Sequence, residues 1–207
     1  MRPGIGVVMP THPGRSRDLL DRAVRSVWDQ SYPAQHLSVA NDVDRRGAGH
    51  TRQRALEGNP CEWTAFLDSD DYFARDHLAV LMAAAEREQA DYVYSWFWVQ
   101  QGGIEGQLLD HDPVFPPGHF LKPWDNAEPR QTTVTVMVRT ELALQVGYWS
   151  VEDETTFPDG HRVGEDWHFT LGCMAAGAKI HHVVARTWIW SHHGLNTSGR
   201  PGHGDAK

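Results

Sequence analysis

Short apolar runs alternate with amphipathic stretches along the first hundred residues, and this alternation constrains the fold more than any other feature. "IGVVMP" (residues 5–10), "HLSVAND" (36–42), "CEWTAFLD" (61–68) and "DYVYSWFWV" (91–99) have the length and β-branched or aromatic content of buried strands. Between the first two, Leu19, Leu20, Ala23, Val24, Val27 and Trp28 recur at helical spacing and form one apolar stripe. "GHTRQRALEG" predicts a short helix stopped at Gly58, and the Ala-rich run after "FLDSDDYF" predicts a longer one. Strand–helix repeats of this kind imply βαβ units, hence an α/β fold with a mostly parallel central sheet flanked by helices.

Beyond residue 100 the pattern loosens. Gly102, Gly103, Gly106 and a Pro-rich run, "DPVFPPGHF", predict loops or an irregular flap. "TTVTVMVR" reads as a strand, "TELALQVG" and "GEDWHFTLGCMAAGA" as helices, and "KIHHVVA" as a last strand. The polar, Gly-rich end reads as a flexible tail over residues 201–207. With 207 residues and no repeat, the expectation is a single domain over 1–207.

Composition narrows the function classes. Hydrophobic residues make up 40% of the chain, enough for a core, and the formal net charge of -8 without a Lys/Arg block speaks against a broad nucleic-acid footprint. The N-terminal apolar run is too short for a signal peptide, and no stretch approaches the roughly 18 apolar residues of a membrane span. Two cysteines, Cys61 and Cys173, give no disulfide framework, so a cytoplasmic protein without a membrane span is expected.

"FLDSDD" is the most telling stretch. Asp68, Asp70 and Asp71 follow an apolar strand at the carboxyl end, where open α/β sheets bind ligands. In extended chain, residues i and i+2 point the same way, so Asp68 and Asp70 can share one target while Asp71 turns away as a helix-start residue. A divalent cation bridging a diphosphate suits such a pair, whereas a capped turn is the plainer reading of the same letters. Late in the chain, His181, His182, His192 and His193 come as adjacent pairs, which point to opposite faces of a strand and lack a zinc-site spacing.

Five segments together resemble the GT-A glycosyltransferases of the family-2 type, which use nucleotide-diphosphate sugars. They are "GVVMPTHPGRSRDLLDRAVRSVWDQSYP", "VANDVDRRGAGHTRQRAL", "FLDSDD", "VRTELALQVGYW" with "GEDWHFTLGCMAAG", and "WSHHGLNTS", in that order over nearly the whole chain. The resemblance implies a donor site in which Pro10, Thr11 and His12 meet the base and ribose, Asp42 recognises the base, and Arg52 reaches a phosphate or organises the acids. It implies that Asp68 and Asp70 in "DSD", with Ser69 between them, hold Mn²⁺ or Mg²⁺ and the donor, and that His193, with His192 as rival, completes the metal site. It makes Asp166 the base that activates the acceptor hydroxyl, supported by Glu165. The implied donor is a uridine diphosphate sugar; the acceptor stays open among a glycan, a lipid-linked sugar, a protein, a small molecule and a modified nucleic-acid base. The resemblance also implies a nucleotide-binding half at about 1–100 and an acceptor-side half at about 101–200. Trp96, Trp98 and Trp124, with the Pro-rich segment, are expected to shape the acceptor side. Two alternatives remain: a sugar nucleotidyltransferase, for which "THPGRSR" is a thin triphosphate loop, and a non-catalytic nucleotide-sugar or glycan-binding module.

Overall fold

The computed structural model describes residues 2–102, 104–110, 123–129, 132–148 and 164–193. The Pro-rich run, the segment before Gly164 and the tail after His193 lie outside these residues. The elements are β1 (Ile5–Thr11), α1 (Arg17–Trp28), β2 (His36–Asn41), α2 (Ala48–Glu57), β3 (Trp63–Phe66), β4 (Tyr72–Phe73), α3 (His77–Glu88), β5 (Tyr92–Gln101), β6 (Gln107–Leu109), β7 (Val136–Arg139), α4 (Thr140–Val146), α5 (Glu165–Ala175) and β8 (Ile180–His192). The strand order is β2-β1-β3-β7-β5-β8-β4, with β6 paired to β5. The pairings make β2, β1, β3, β5 and β8 point one way, while β7, β4 and β6 run against them. The α/β sheet expected from the strand–helix alternation is therefore present, with β7 inserted antiparallel between β3 and β5.

The period-two geometry of the strands divides the core. Ile5, Val7 and Met9 of β1 join Ala65 of β3 in one cluster with Ala23, Val27, Leu78, Leu81 and Met82 from α1 and α3. Val8 and Phe66 face the opposite way, onto Ala55 and Leu56 of α2, Ala143 of α4 and Phe169 and Cys173 of α5. The helical stripe read from Leu19, Ala23 and Val27 is the buried face of α1. α2 ends at Gly58 as expected, although that residue has φ −85° and needs no left-handed conformation.

Two local expectations are corrected. Asp71 does not start a helix: it precedes β4, and α3 begins at His77 behind Asp76. The last strand does not stop after "KIHHVVA" but runs through "RTWIWSH" to His192. It does so because β5 offers a ten-residue partner, and register shifts around Trp96 absorb the mismatch between the two strands. Since β8 runs in the direction of β1 and β3, this extension carries His193 to the edge of the sheet where those strands end.

β1 is held closely by a buried amide. Asn59 is 7% exposed, donates to Trp63 O at 3.2 Å and Thr64 Oγ1 at 2.7 Å, and accepts from the Cys61 N–H at 3.0 Å. A Cβ on Gly6 would lie 1.9 Å from Asn59 Oδ1. Gly6→Ala must displace this bonded amide, so we expect a loss of about 1–3 kcal/mol in unfolding free energy. A denaturant titration that returns an unchanged midpoint would refute this.

Candidate active site

The carboxyl ends of β1, β2 and β3 and the end of β8 meet on one edge, and the acids of "FLDSDD" lie there. Carboxylate oxygens of Asp68, Asp70 and Asp71 lie within 4.8 Å of one another. Their mutual repulsion is offset by two guanidinium groups. Arg52, on α2 and only 4% exposed, donates through Nη2 to Asp68 Oδ1 at 2.7 Å and through Nη1 to Glu165 Oε1 at 2.5 Å. Arg15, in the turn after β1, donates through Nη1 to Asp70 Oδ2 at 2.7 Å and through Nε to Ser69 Oγ at 3.0 Å. His193 Nε2 lies 3.0 Å from the same Asp70 oxygen. Asp71, 3% exposed, meets a backbone amide instead. Its Oδ1 accepts the N–H of Ser191 at 2.8 Å, tying the acidic loop to the end of β8. Arg22 adds to this tie, donating to Asp70 O at 3.2 Å and Ser191 Oγ at 2.7 Å.

The ionisation of these groups follows from their partners. Burial alone would raise the Asp70 carboxyl, but the His193 hydrogen bond and the Arg15 charge outweigh it and hold the group below its ordinary range. Glu165 is lowered in the same way: burial opposes, and the Arg52 charge and hydrogen bond prevail. Asp68 is raised, by burial first, because Asp70 and Glu165 work against the help from Arg52. Asp166 is pushed up to about 7, chiefly by burial and next by the adjacent Glu165 charge. Its Oδ1 accepts the Trp167 N–H at 2.8 Å, and the Arg52 charge only partly offsets the shift. A carboxylate that exchanges its proton near neutrality has the property a general base needs.

The other expected residues are placed as follows. Pro10 and Thr11 are buried at the end of β1, and Thr11 Oγ1 has no hydrogen-bond partner among the described residues. His12 is exposed and its Nδ1 accepts the Gly14 N–H at 3.1 Å, shaping the turn that carries Arg15. Asp42 accepts from Arg46 N at 2.7 Å and Gly47 N at 2.9 Å, so its carboxylate organises the loop leading into α2. Of the two neighbouring histidines, His193 reaches Asp70 while His192 packs edge-to-face against Trp190. Trp167 meets Trp124 edge-to-face, and Trp124 in turn meets Tyr94, which makes an aromatic wall beside Asp166. Trp96 and Trp98 lie under the Arg186 guanidinium.

Sequence reasoning passed over Arg15 and Tyr148. Arg15 was visible only as one of two arginines in the turn "THPGRSR". Tyr148, under the Arg52 guanidinium at 5.6 Å, stacks on Phe169 and had no local pattern to mark it.

The donor set suits a hard divalent ion: carboxylate oxygens and one imidazole nitrogen. Asp68, Asp70 and Asp71 would each offer one carboxylate oxygen to such an ion, and His193 Nε2, 3.0 Å from Asp70 Oδ2, would add the nitrogen. The residues present therefore fit Mg²⁺ or Mn²⁺.

Comparison with known proteins identifies the family and the fold. Residues 35–145 match the family model described as glycosyl transferase family 2. TuaG of Bacillus subtilis (strain 168), named as a putative teichuronic acid biosynthesis glycosyltransferase, is 29% identical over a match covering 37% of this chain and 40% of that protein. The crystal structure of S. aureus TarS superposes with a TM-score of 0.67 at 17% identity, covering 91% of this chain and 37% of that one. TarS 1–349 in complex with UDP-GlcNAc gives a TM-score of 0.70 at 16% identity, covering 93% and 60%. The TarS likeness establishes a shared GT-A fold, and the chain spans less than two thirds of the length of these relatives.

Removing Arg52 leaves two mostly buried carboxylates without their cation. Arg52→Ala is expected to cost about 3 kcal/mol of stability, and Arg52→Lys, which keeps the charge but not the two-armed fork, roughly half that. The Arg52→Ala loss should shrink on acidification, as Glu165 protonates: its lowered pKa means that its stabilisation is present above the unfolded carboxyl pKa and vanishes as pH falls through the folded one. Chemical denaturation of the three proteins at two pH values checks both points.

Proposed function

Since the chain belongs to glycosyl transferase family 2, we propose that it moves a sugar from a uridine diphosphate sugar to an acceptor hydroxyl, with a divalent metal and with Asp166 as base. The carrying observation is the Arg52 fork: one guanidinium joins Asp68, on the donor side, to Glu165, the neighbour of Asp166. The complex of TarS 1–349 with UDP-GlcNAc supports the donor class. The intact acids and the family membership favour transfer over the nucleotidyltransferase and binding-module readings.

In this reading Asp70 and His193, with Asp68, hold Mg²⁺ or Mn²⁺, which when bound neutralises the departing diphosphate. The end of β1 supplies to the donor the buried Thr11 hydroxyl, which has no hydrogen-bond partner among the described residues, beside Pro10, His12 and the Asp42 loop. Ser69 stands between the two acids of the motif. The acceptor oxygen attacks the anomeric carbon, the bond from that carbon to the diphosphate oxygen breaks, and the acceptor proton passes to Asp166. Glu165 does not compete for that proton, because Arg52 keeps it ionised and occupied. Trp167 and Trp124 offer flat apolar faces to an acceptor.

Thermal melts with Mn²⁺ and a panel of nucleotide sugars test the donor: a saturating uridine diphosphate sugar should raise Tm by several degrees. Asp68→Ala should abolish the shift, and the absence of a shift with every nucleotide sugar would overturn the assignment.

Asp166→Asn is expected to retain donor binding and to lose about 10²–10⁴-fold in kcat. In the wild type, kcat should rise with pH through an apparent pKa near 7 and level off above it, because only the ionised carboxylate accepts the proton. A flat profile between about pH 5.5 and 8.5, with chemistry limiting, would remove Asp166 from this role.

A further inference from the structure

Arg15 stands where the cation of the acidic motif belongs. Its Nη1 is 2.7 Å from Asp70 Oδ2 and 3.5 Å from His193 Nε2, and those two atoms are themselves 3.0 Å apart. One nitrogen of one guanidinium thus reaches both atoms that the metal reading assigns to the ion, while Nε is held by Ser69. The three side chains are closed in, at 15%, 13% and 10% exposure for Arg15, Asp70 and His193. A guanidinium and a divalent ion on the same carboxylate oxygen repel strongly at that separation.

The two arginines of the site differ in freedom. Arg52 projects from α2 into the interior, fixed by two acids and the Tyr148 ring. Arg15 comes from an exposed turn, residues 12–16, that hangs on the Arg15 N–H to His12 O bond and the His12 side chain. Of the two, Arg15 is the one able to leave.

We propose that Arg15 is the resident cation of the donor-free site. It neutralises Asp70 and keeps Asp70 and His193 together, and it excludes a divalent ion from Asp70 until it is drawn away. An incoming diphosphate supplies the replacement partner, since guanidinium and phosphate pair through two parallel hydrogen bonds. Metal and nucleotide then favour each other's binding, by the reciprocity that governs any coupled pair of ligands. The proposal rests on the metal site of the preceding section.

Mn²⁺ binding, followed by the loss of the free-ion EPR signal, tests it without reference to turnover. Wild type, Arg15→Ala, Arg15→Gln and Arg15→Lys are titrated with Mn²⁺, each with and without UDP. Without UDP, both neutral variants should bind Mn²⁺ at least about tenfold more tightly than wild type, and Arg15→Lys should stay near wild type. UDP should tighten Mn²⁺ binding more in wild type than in the neutral variants. The glutamine variant, which keeps a polar, hydrogen-bonding side chain without the charge, carries the test if the alanine variant fails to fold. Equal or weaker Mn²⁺ binding by the neutral variants overturns the role of Arg15 and leaves the metal site standing. Absence of Mn²⁺ binding by every protein, even with UDP, overturns both.

Discussion

The geometry of the site depends on one buried guanidinium. Arg52 draws Asp68, from the loop after the third strand, and Glu165, from the first turn of α5, onto two nitrogens of a single planar fork. For each acid burial favours the neutral form, and the Arg52 charge and hydrogen bond work against it. A lysine would supply the charge from a single point and leave the spacing of the two carboxylates undefined. The guanidinium fixes that spacing, so the separation between the acidic loop and the first turn of α5 is set by covalent geometry rather than by the reach of flexible loops.

Everything else at the site follows from strand direction. β1, β2, β3 and β8 run the same way, so their carboxyl ends share an edge although β8 is separated from the others by more than a hundred residues of chain. Asp71 then fastens that edge from the side, by accepting the Ser191 N–H two residues before His193. Arg22 closes the same joint from α1 and lies 4.2 Å above the Tyr72 ring. The acid that looked least involved in ligand chemistry is the one that holds the histidine in register with the other two.

Much of this was legible in the letters, and the parts that were not have a common cause. The alternation of strands and helices, the helical stripe of Leu19, Ala23 and Val27, and the position of "FLDSDD" after a strand are local properties, and each appears in the structure where the pattern put it. The resemblance picked out His193 and left His192 as its rival; strand alternation separates them once β8 is known to run to His192, sending one ring to Asp70 and the other to Trp190. The length of β8 itself was hidden because it depends on β5, far earlier in the chain, and on an irregular register that no local pattern reveals. Arg15 was hidden for a similar reason. An arginine in a polar turn looks like solvent-facing charge until the fold brings a carboxylate 55 residues away to meet it.

Neighbouring acids in this protein carry opposite chemistry because of the angle between their side chains. Successive residues on a helix point about 100° apart, so when Glu165 faces Arg52, Asp166 faces elsewhere. Glu165 is held ionised by the fork, and its negative charge, added to burial, raises its neighbour to about 7. The fixed charge of one carboxylate thus adds to the burial that raises the other. The same division holds in the loop, where Asp68 and Asp70 each take a guanidinium and Asp71 takes a backbone amide. Of these five acids, Asp71 and Asp166 are the two whose strongest charged neighbour is another carboxylate rather than a cation. Asp71 is closed off at 3% exposure and committed to the end of β8. The Asp166 carboxylate accepts the amide next to it in the chain, beside the aromatic wall of Trp167 and Trp124. That difference in access, at a similar electrostatic disadvantage, is why we propose Asp166 rather than Asp71 for the proton of the acceptor.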